Sequence, residues 1–180
     1  GMKGMTDVAI TLILAWSLGK MISGLGTAEF IVKFLQDMSF SASLVPAAVF
    51  LFGAFISFST GSSWGTFAIM MPLAIPMAHA FGIPFYIAVG AVLSGGLFGD
   101  HCSPISDTTI LSSTGAGCGL VEHIKTQLPY AAVNGTIAFI AYIITGLTGS
   151  EAALGFAVIA LIVVMAVLNR ISAARLAGKE

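Results

Sequence analysis

Residues 99–109 read GDHCSPISDTT, and the run AVGAVLSGGLF at 88–98 leads directly into them. Two aspartates, a histidine, a cysteine, a proline and several hydroxyls thus interrupt a strongly apolar stretch. The chain resumes with TILSSTGAGCG, again poor in charge. Of its 180 residues 57% are hydrophobic and only 8% are charged, with a mean hydropathy of +1.01. Soluble domains carry about 25% charged residues, so the long apolar runs read as membrane spans rather than as a water-surrounded core. Two acids inside such a run are the feature to be explained.

The rest of the composition narrows the function classes. Seven Lys and Arg against eight Asp and Glu leave a net charge of −1, with no basic patch for nucleic acid. Cys102 and Cys118 form neither a disulfide framework nor a CxxC site and are expected as free thiols. The start, GMKGMTDVAI, lacks the basic region and cleavage site of a signal peptide. With a span opening almost at once, the chain reads as part of a longer protein.

Outward from the motif, residues 84–118 form one span broken near its middle, PFYIAVGAVLSGGLF before the motif and TILSSTGAGCG after it. Upstream, 43–80 hold two apolar arms around STGSSWGT, each about fifteen residues and so short of the ~20 needed to cross. Such arms meeting at a polar, glycine-bearing tip predict a re-entrant hairpin, whose irregular backbone must be buried in protein or line a cavity. A single broken crossing is the competing reading. Residues 6–26 form a first span, capped by Thr6 or Asp7, with Lys20 either snorkelling to the interface or partnering a buried carboxylate. Residues 27–42 predict an interfacial amphipathic helix, with Phe30, Ile31, Phe34, Leu35 and Met38 on one face and Glu29 and Asp37 solvated. Residues 119–127 are expected as a polar connector with His123 facing solvent, and 128–148 and 151–169 as two further spans. The prediction is an all-α, polytopic transmembrane protein, a single domain over 1–180. Basic residues fall five to one on the side of the C-terminus, which predicts a cytoplasmic C-terminus for either reading of 43–80.

An ionised carboxylate at the bilayer centre costs roughly 2.5–3.5 kcal/mol on insertion scales. Two close together repel, which favours proton uptake by one of them. No cation lies nearby in sequence to pair with Asp100 and Asp107, and intramembrane acids by default mark ion pathways or proton relays. Ser103, Ser106, Thr108 and Thr109 add oxygens, and Pro104 with Gly99 frees backbone carbonyls by interrupting the helix. Hard cations take such oxygen ligands. The tip residues Thr60, Ser62, Ser63 and Thr66 can supply more from a second element. His101 can relay protons, sense pH or orient the loop. Zinc is disfavoured, because Asp100, His101 and Cys102 are adjacent and no zinc-site spacing occurs. His79 reads as an interior histidine, Trp64 as packing at the tip, Trp16 as packing or an interface anchor, and Asn134 and Asn169 as helix–helix hydrogen bonders or end caps.

FSTGSSWGTFAIMMPLAIPMA and GDHCSPISDTTILSSTGAGC resemble the paired signature stretches of the NhaC-type Na⁺/H⁺ antiporter family, which also contains Na⁺-coupled malate/lactate exchangers. LILAWSLGKMISGLGTAEF is similar to the span preceding them. The resemblance implies the C-terminal half of an inverted-repeat transporter, favours the hairpin at 43–80, and implies that a missing N-terminal half completes the cation site. It implies a multi-pass protein of the bacterial inner membrane, in contact with lipid; a homodimer is left open. The expected activity is Na⁺/H⁺ antiport. Na⁺ and H⁺ compete at Asp100 and Asp107, assisted by Ser103, Ser106, Thr108, Thr60, Ser62, Ser63, Thr66 and His101, with no resident cofactor. Three alternatives stand beside it: exchange of malate for lactate, with half-helix N-termini at 62–68 and 106–110 receiving the anion; a membrane metalloenzyme; and a structural subunit without transport.

Overall fold

Gly61 and Pro104 mark the two helix breaks that bring the site together. The computed structural model describes residues 13, 14, 17, 18, 20, 21, 24–150 and 152–177. Much of the expected span at 6–26, with Thr6, Asp7 and Trp16, lies outside the described residues. Among those described, every regular element is helical. They are α1 (Thr27–Asp37), α2 (Val45–Thr60, entered through a 3₁₀ turn at Ala42–Leu44), α3 (Ser63–Ala80), α4 (Phe85–Cys102), α5 (Asp107–Gly115), α6 (Leu120–Thr148) and α7 (Ala152–Ala177).

Local chemistry sets most of the boundaries. Pro46 sits in the first turn of α2, where its missing N–H removes no intrahelical bond. Gly61 closes α2 in the left-handed region at φ 67°, its N–H donating to the Ser57 carbonyl at 2.8 Å. Ser62 then caps α3, its Oγ accepting from Gly65 N at 3.2 Å. Pro72 and Pro76 lie within α3 without ending it. At the second break α4 stops at Cys102, ahead of Pro104, and Ser106 caps α5 by accepting from Thr108 N at 3.2 Å.

Three helical stretches among the described residues are long and apolar enough to cross a membrane: Ala42–Thr60, Phe85–Cys102 and Leu120–Thr148, with mean hydropathies of 1.9, 1.2 and 1.6. The first arm at 43–60 is therefore longer, as a helical unit, than the fifteen residues counted from sequence. Residues 119–127 also differ from expectation. From Leu120 they are the opening turns of α6, which runs for 29 residues, about 43 Å at 1.5 Å each. The polar residues Glu122, His123, Lys125 and Gln127 made this helix start read as a connector. His123 accordingly is half-buried, with Nε2 enclosed and unpartnered, rather than solvent-facing.

The core centres on Phe50 of α2. Its ring lies 5.9 Å from Phe98, 6.4 Å from Phe139 and 5.6 Å from Tyr142, joining α2, α4 and α6. Ala74, Ala78, Ala91 and Val92 are completely buried around it. Helices α2 and α4 meet along a glycine seam. A Cβ added at Gly95 would strike the Phe50 carbonyl, and one at Gly99 the Ala54 carbonyl. Ser57 Oγ donates across this seam to the Gly96 carbonyl at 2.6 Å. Helix α1 packs Ile31, Val32 and Leu35 against the core but leaves Phe30, Phe34 and Met38 exposed. Its apolar residues form one arc, as expected of an amphipathic helix, with one edge against the core and the other exposed. Glu29 and Asp37 are exposed, as read.

Candidate functional site

The buried face of α4 carries Ala88, Ala91, Val92, Gly95, Gly96, Gly99 and Asp100, a helical succession that ends on an acid. Asp100 is 2% exposed and enters the same interior as the glycine seam. Three hydroxyls meet its carboxylate. Ser106 Oγ donates to Oδ1 at 2.7 Å; Ser63 Oγ and Thr108 Oγ1 donate to Oδ2, both at 3.3 Å. Ser63 begins α3, while Ser106 and Thr108 belong to the cap and first turn of α5. Two helix N-termini therefore direct their partial positive charge at one carboxylate.

The two interruptions of the chain are in contact, which is why these residues converge. A Cβ at Gly61 would lie 2.8 Å from the Ile105 carbonyl oxygen and 2.9 Å from its carbon, so the turn before α3 rests on the loop between α4 and α5. Within that loop Ser103 N donates to the Asp100 carbonyl at 3.1 Å. Gln127, on α6, donates Nε2 to the His101 carbonyl at 3.0 Å, satisfying another orphan acceptor at the end of α4.

Hydroxyl counting shows what remains open. Each hydroxyl has one proton to give, and a carboxylate offers about four acceptor positions. Thr108 is moreover shared, its Oγ1 lying 2.7 Å from Ser106 Oγ as well as near Asp100. At most three positions on Asp100 are filled from these side chains, and neither Lys nor Arg forms an ion pair with it among the described residues. A small cation or a proton can therefore add to the carboxylate, with hydroxyl lone pairs available beside it.

Of the residues singled out from sequence, Asp100, Ser63, Ser106 and Thr108 come together. Asp107 does not share that environment. It opens α5 but is exposed, and its carboxylate has no hydrogen bond with a described residue. The buried face of α5 is that of Thr109 and Ser113, and Asp107, two residues before Thr109, falls opposite it. Thr60 is exposed with its hydroxyl turned back to the Ile56 carbonyl at 2.9 Å. Thr66 is buried but donates to the Ser62 carbonyl, also at 2.9 Å. Ser62 Oγ is used in capping, and Ser103, fully buried, accepts from Ile105 N at 3.4 Å. Thr109 Oγ1 is buried without a partner. His101 is exposed and turned towards Gln127 rather than into the carboxylate nest. His79 is exposed in the last turn of α3, not interior, and Trp64 is exposed with an edge contact to Phe67. Sequence reasoning missed Ser57 and Gln127, whose roles depend on the backbone of another helix.

Comparison with known proteins bears on this geometry. Residues 1–147 match the Na⁺/H⁺ antiporter family. A protein of Haemophilus influenzae with no assigned function is 42% identical over 94% of this chain and 33% of its own length. The arginine/ornithine antiporter ArcD of Halobacterium salinarum is 30% identical over 80% of the chain and 29% of its length. The malate-2H⁺/Na⁺-lactate antiporter of Bacillus subtilis is 31% identical over 70% of the chain and 26% of its length. The chain thus spans a third or less of the length of these relatives. No solved structure matches. The three apolar helices of crossing length among the described residues and this match have one reading: the chain is a membrane protein and belongs to the Na⁺/H⁺ antiporter family.

Proposed function

We propose that this chain supplies a cation and proton exchange site to a secondary antiporter of the bacterial inner membrane, with Asp100 as the exchanging carboxylate. The observation that carries the proposal is the burial of Asp100 among three hydroxyls from the starts of α3 and α5, with no cationic side chain among the described residues paired with it. In one state Asp100 binds Na⁺, and Ser63, Ser106 and Thr108 rotate their lone pairs towards the ion. In the other it takes a proton, and the hydroxyls donate to it as they do here. The two occupants exclude each other, which is the requirement for exchange.

Alternating access would come from movement of the units that meet at Gly61 and Ile105, the α2–α3 re-entrant hairpin and the discontinuous α4–α5 helix. Asp107, exposed at the head of α5, stands at the entrance and attracts the cation. The remaining two-thirds of the protein, in the proportion its relatives carry, completes the site and the path through the membrane. The C-terminus lies in the cytoplasm, on the side with more Lys and Arg. Each net charge moved couples to the membrane potential at about 2.3 kcal/mol per 100 mV.

A second reading is favoured by the relatives. The Halobacterium and Bacillus proteins are named for exchange of arginine with ornithine and of malate with lactate. All four solutes carry a carboxylate group, arginine and ornithine together with a net positive charge, and in this reading such a solute is exchanged alongside the cation. Uptake of ²²Na⁺ into proteoliposomes holding the complete transporter, driven by an imposed pH gradient, tests both readings. Uptake without organic solute supports simple Na⁺/H⁺ exchange. Uptake only with internal malate, lactate or ornithine supports the second reading, and no uptake under any condition refutes both.

A further inference from the structure

The carboxylate of Asp100 is held by α3 and α5, but the backbone beside it is held by α6. The last four carbonyls of a helix have no intrahelical donor. Helix α4 ends at Cys102, so the peptides around Asp100 depend on partners from outside it. The loop supplies one, Ser103 N donating to the Asp100 carbonyl at 3.1 Å. The next carbonyl, that of His101, accepts from Gln127 Nε2 at 3.0 Å. The same nitrogen lies 3.5 Å from His101 Nδ1, which is long for a hydrogen bond, so the carbonyl contact is the firmer of the two. Among the described residues these contacts are the only side-chain hydrogen bonding from α6 to residues 99–108.

Helix α6 can act as a fixed support because it is pinned to the core well away from that contact. A Cβ at Gly135 would strike the ring of Phe98, and one at Gly146 the Ser43 carbonyl. Between those points Phe139 and Tyr142 pack on Phe50, and Tyr142 shares a 2.8 Å hydrogen bond with Ser94 of α4. Gln127 lies eight residues before Gly135, about 12 Å along the helix. The carboxylate nest in turn has little slack. Ser106 Oγ stands at 2.7 Å from Asp100, close to the best distance for two oxygens, but Ser63 and Thr108 at 3.3 Å are already beyond it. A shift of a few tenths of an ångström at the end of α4, away from α3 and α5, therefore breaks both of the longer bonds.

We propose that Gln127 is a positioning residue for cation binding: its amide holds the His101 carbonyl, and through that peptide it fixes Asp100 against the hydroxyls of Ser63, Ser106 and Thr108. Gln127 touches neither the carboxylate nor the ion. It acts by keeping the end of α4 at the one distance from which three hydroxyls from two other helices reach the same acid. Without the amide donors, α4 loses its tether to α6 one residue from Asp100, and the nest binds Na⁺ less tightly. The inference rests on the antiporter reading above and adds α6 to the elements that set the affinity of its cation site.

The test is Na⁺ titration of exchange in everted vesicles carrying the complete transporter, with Gln127→Met and Thr126→Val as variants. Methionine keeps the length of the side chain and removes its donors. Thr126 is the neighbouring residue, and its hydroxyl bonds only to carbonyls of its own helix, those of Glu122 and His123. Loss of one hydrogen bond in Gln127→Met should raise the half-saturating Na⁺ concentration about three- to tenfold, with a smaller change in the maximal rate per folded transporter. Thr126→Val should keep the parental half-saturation. A parental half-saturation in Gln127→Met overturns the proposal, even where its maximal rate and folded yield fall, because that pattern marks a structural role alone. An equal rise in Thr126→Val overturns it too. Should Gln127→Met yield no folded protein, Gln127→Asn, which withdraws the amide by one methylene, is read by the same criteria. Asp100→Asn in the same vesicles tests the underlying reading. If it exchanges undiminished, that reading fails; if it is inactive while Gln127→Met is parental, only the role of Gln127 fails.

Discussion

Replacing Gly99 by alanine is the sharpest probe of how α4 is held. The added Cβ would run into the Ala54 carbonyl and lie 2.8 Å from both Phe58 N and Ser57 Cβ. That is about 0.7 Å inside the optimum for non-bonded atoms, and the obstacles are mainly backbone, which cannot rotate away. Helices α2 and α4 must separate. Overpacking of this kind costs about 1–3 kcal/mol. Separation also stretches the 2.6 Å bond from Ser57 Oγ to the Gly96 carbonyl, a further 0.5–1.5 kcal/mol or so. A loss of about 2–4 kcal/mol is therefore expected, with Asp100 displaced because it is the next residue. The control is Gly155→Ala in α7, where a Cβ meets nothing within 4 Å. There alanine should be neutral or add about 0.5–1 kcal/mol through helix propensity. Thermal unfolding of the two detergent-solubilised variants measures the difference. Equal midpoints would refute the close approach of α2 and α4 on which the position of Asp100 depends.

Three further predictions concern the site and its supports. Ser106→Ala removes both a donor to Asp100 and the cap of α5, so it should destabilise by about 2–4 kcal/mol and raise the half-saturating Na⁺ concentration. Ser63→Ala removes only the 3.3 Å donation, so Na⁺ titration of exchange should show a smaller rise. Gly61→Ala should be more harmful than Ser63→Ala: it places a side chain at φ 67°, 2.8 Å from the Ile105 carbonyl oxygen. Left-handed strain alone costs about 1–3 kcal/mol, and reduced recovery of folded protein by size-exclusion chromatography checks it.

The two breaks, their caps and the helical class were legible because each has a local cause. Gly61 permits the left-handed turn, Pro104 stops α4, and Ser62 and Ser106 precede helices as capping residues do. The burial of Asp100 was legible too, since Ala88, Ala91, Gly95 and Gly99 trace a small-residue stripe that reaches it. The same helical arithmetic applied to α5 would have separated Asp107 from Thr109 and Ser113. Treating the acids as one pair hid that. The fates of the hydroxyls were not legible, because a serine or threonine in a helix can bond to its own preceding turn. Thr60 and Thr66 do so, whereas Ser63 reaches another helix. The start of α6 was misread because Glu122, His123, Lys125 and Gln127 are polar enough for a loop. Yet Gln127 is one of the groups that fix the break in α4.

The measurement closest to the central claim is quenching of a pH-gradient dye in everted vesicles carrying the complete transporter, with Na⁺ and then K⁺ added. The account predicts that Asp100→Asn abolishes Na⁺-dependent dequenching in protein that is still folded and inserted, while Asp107→Asn exchanges with a higher half-saturating Na⁺ concentration. Undiminished Na⁺ exchange by Asp100→Asn would contradict it.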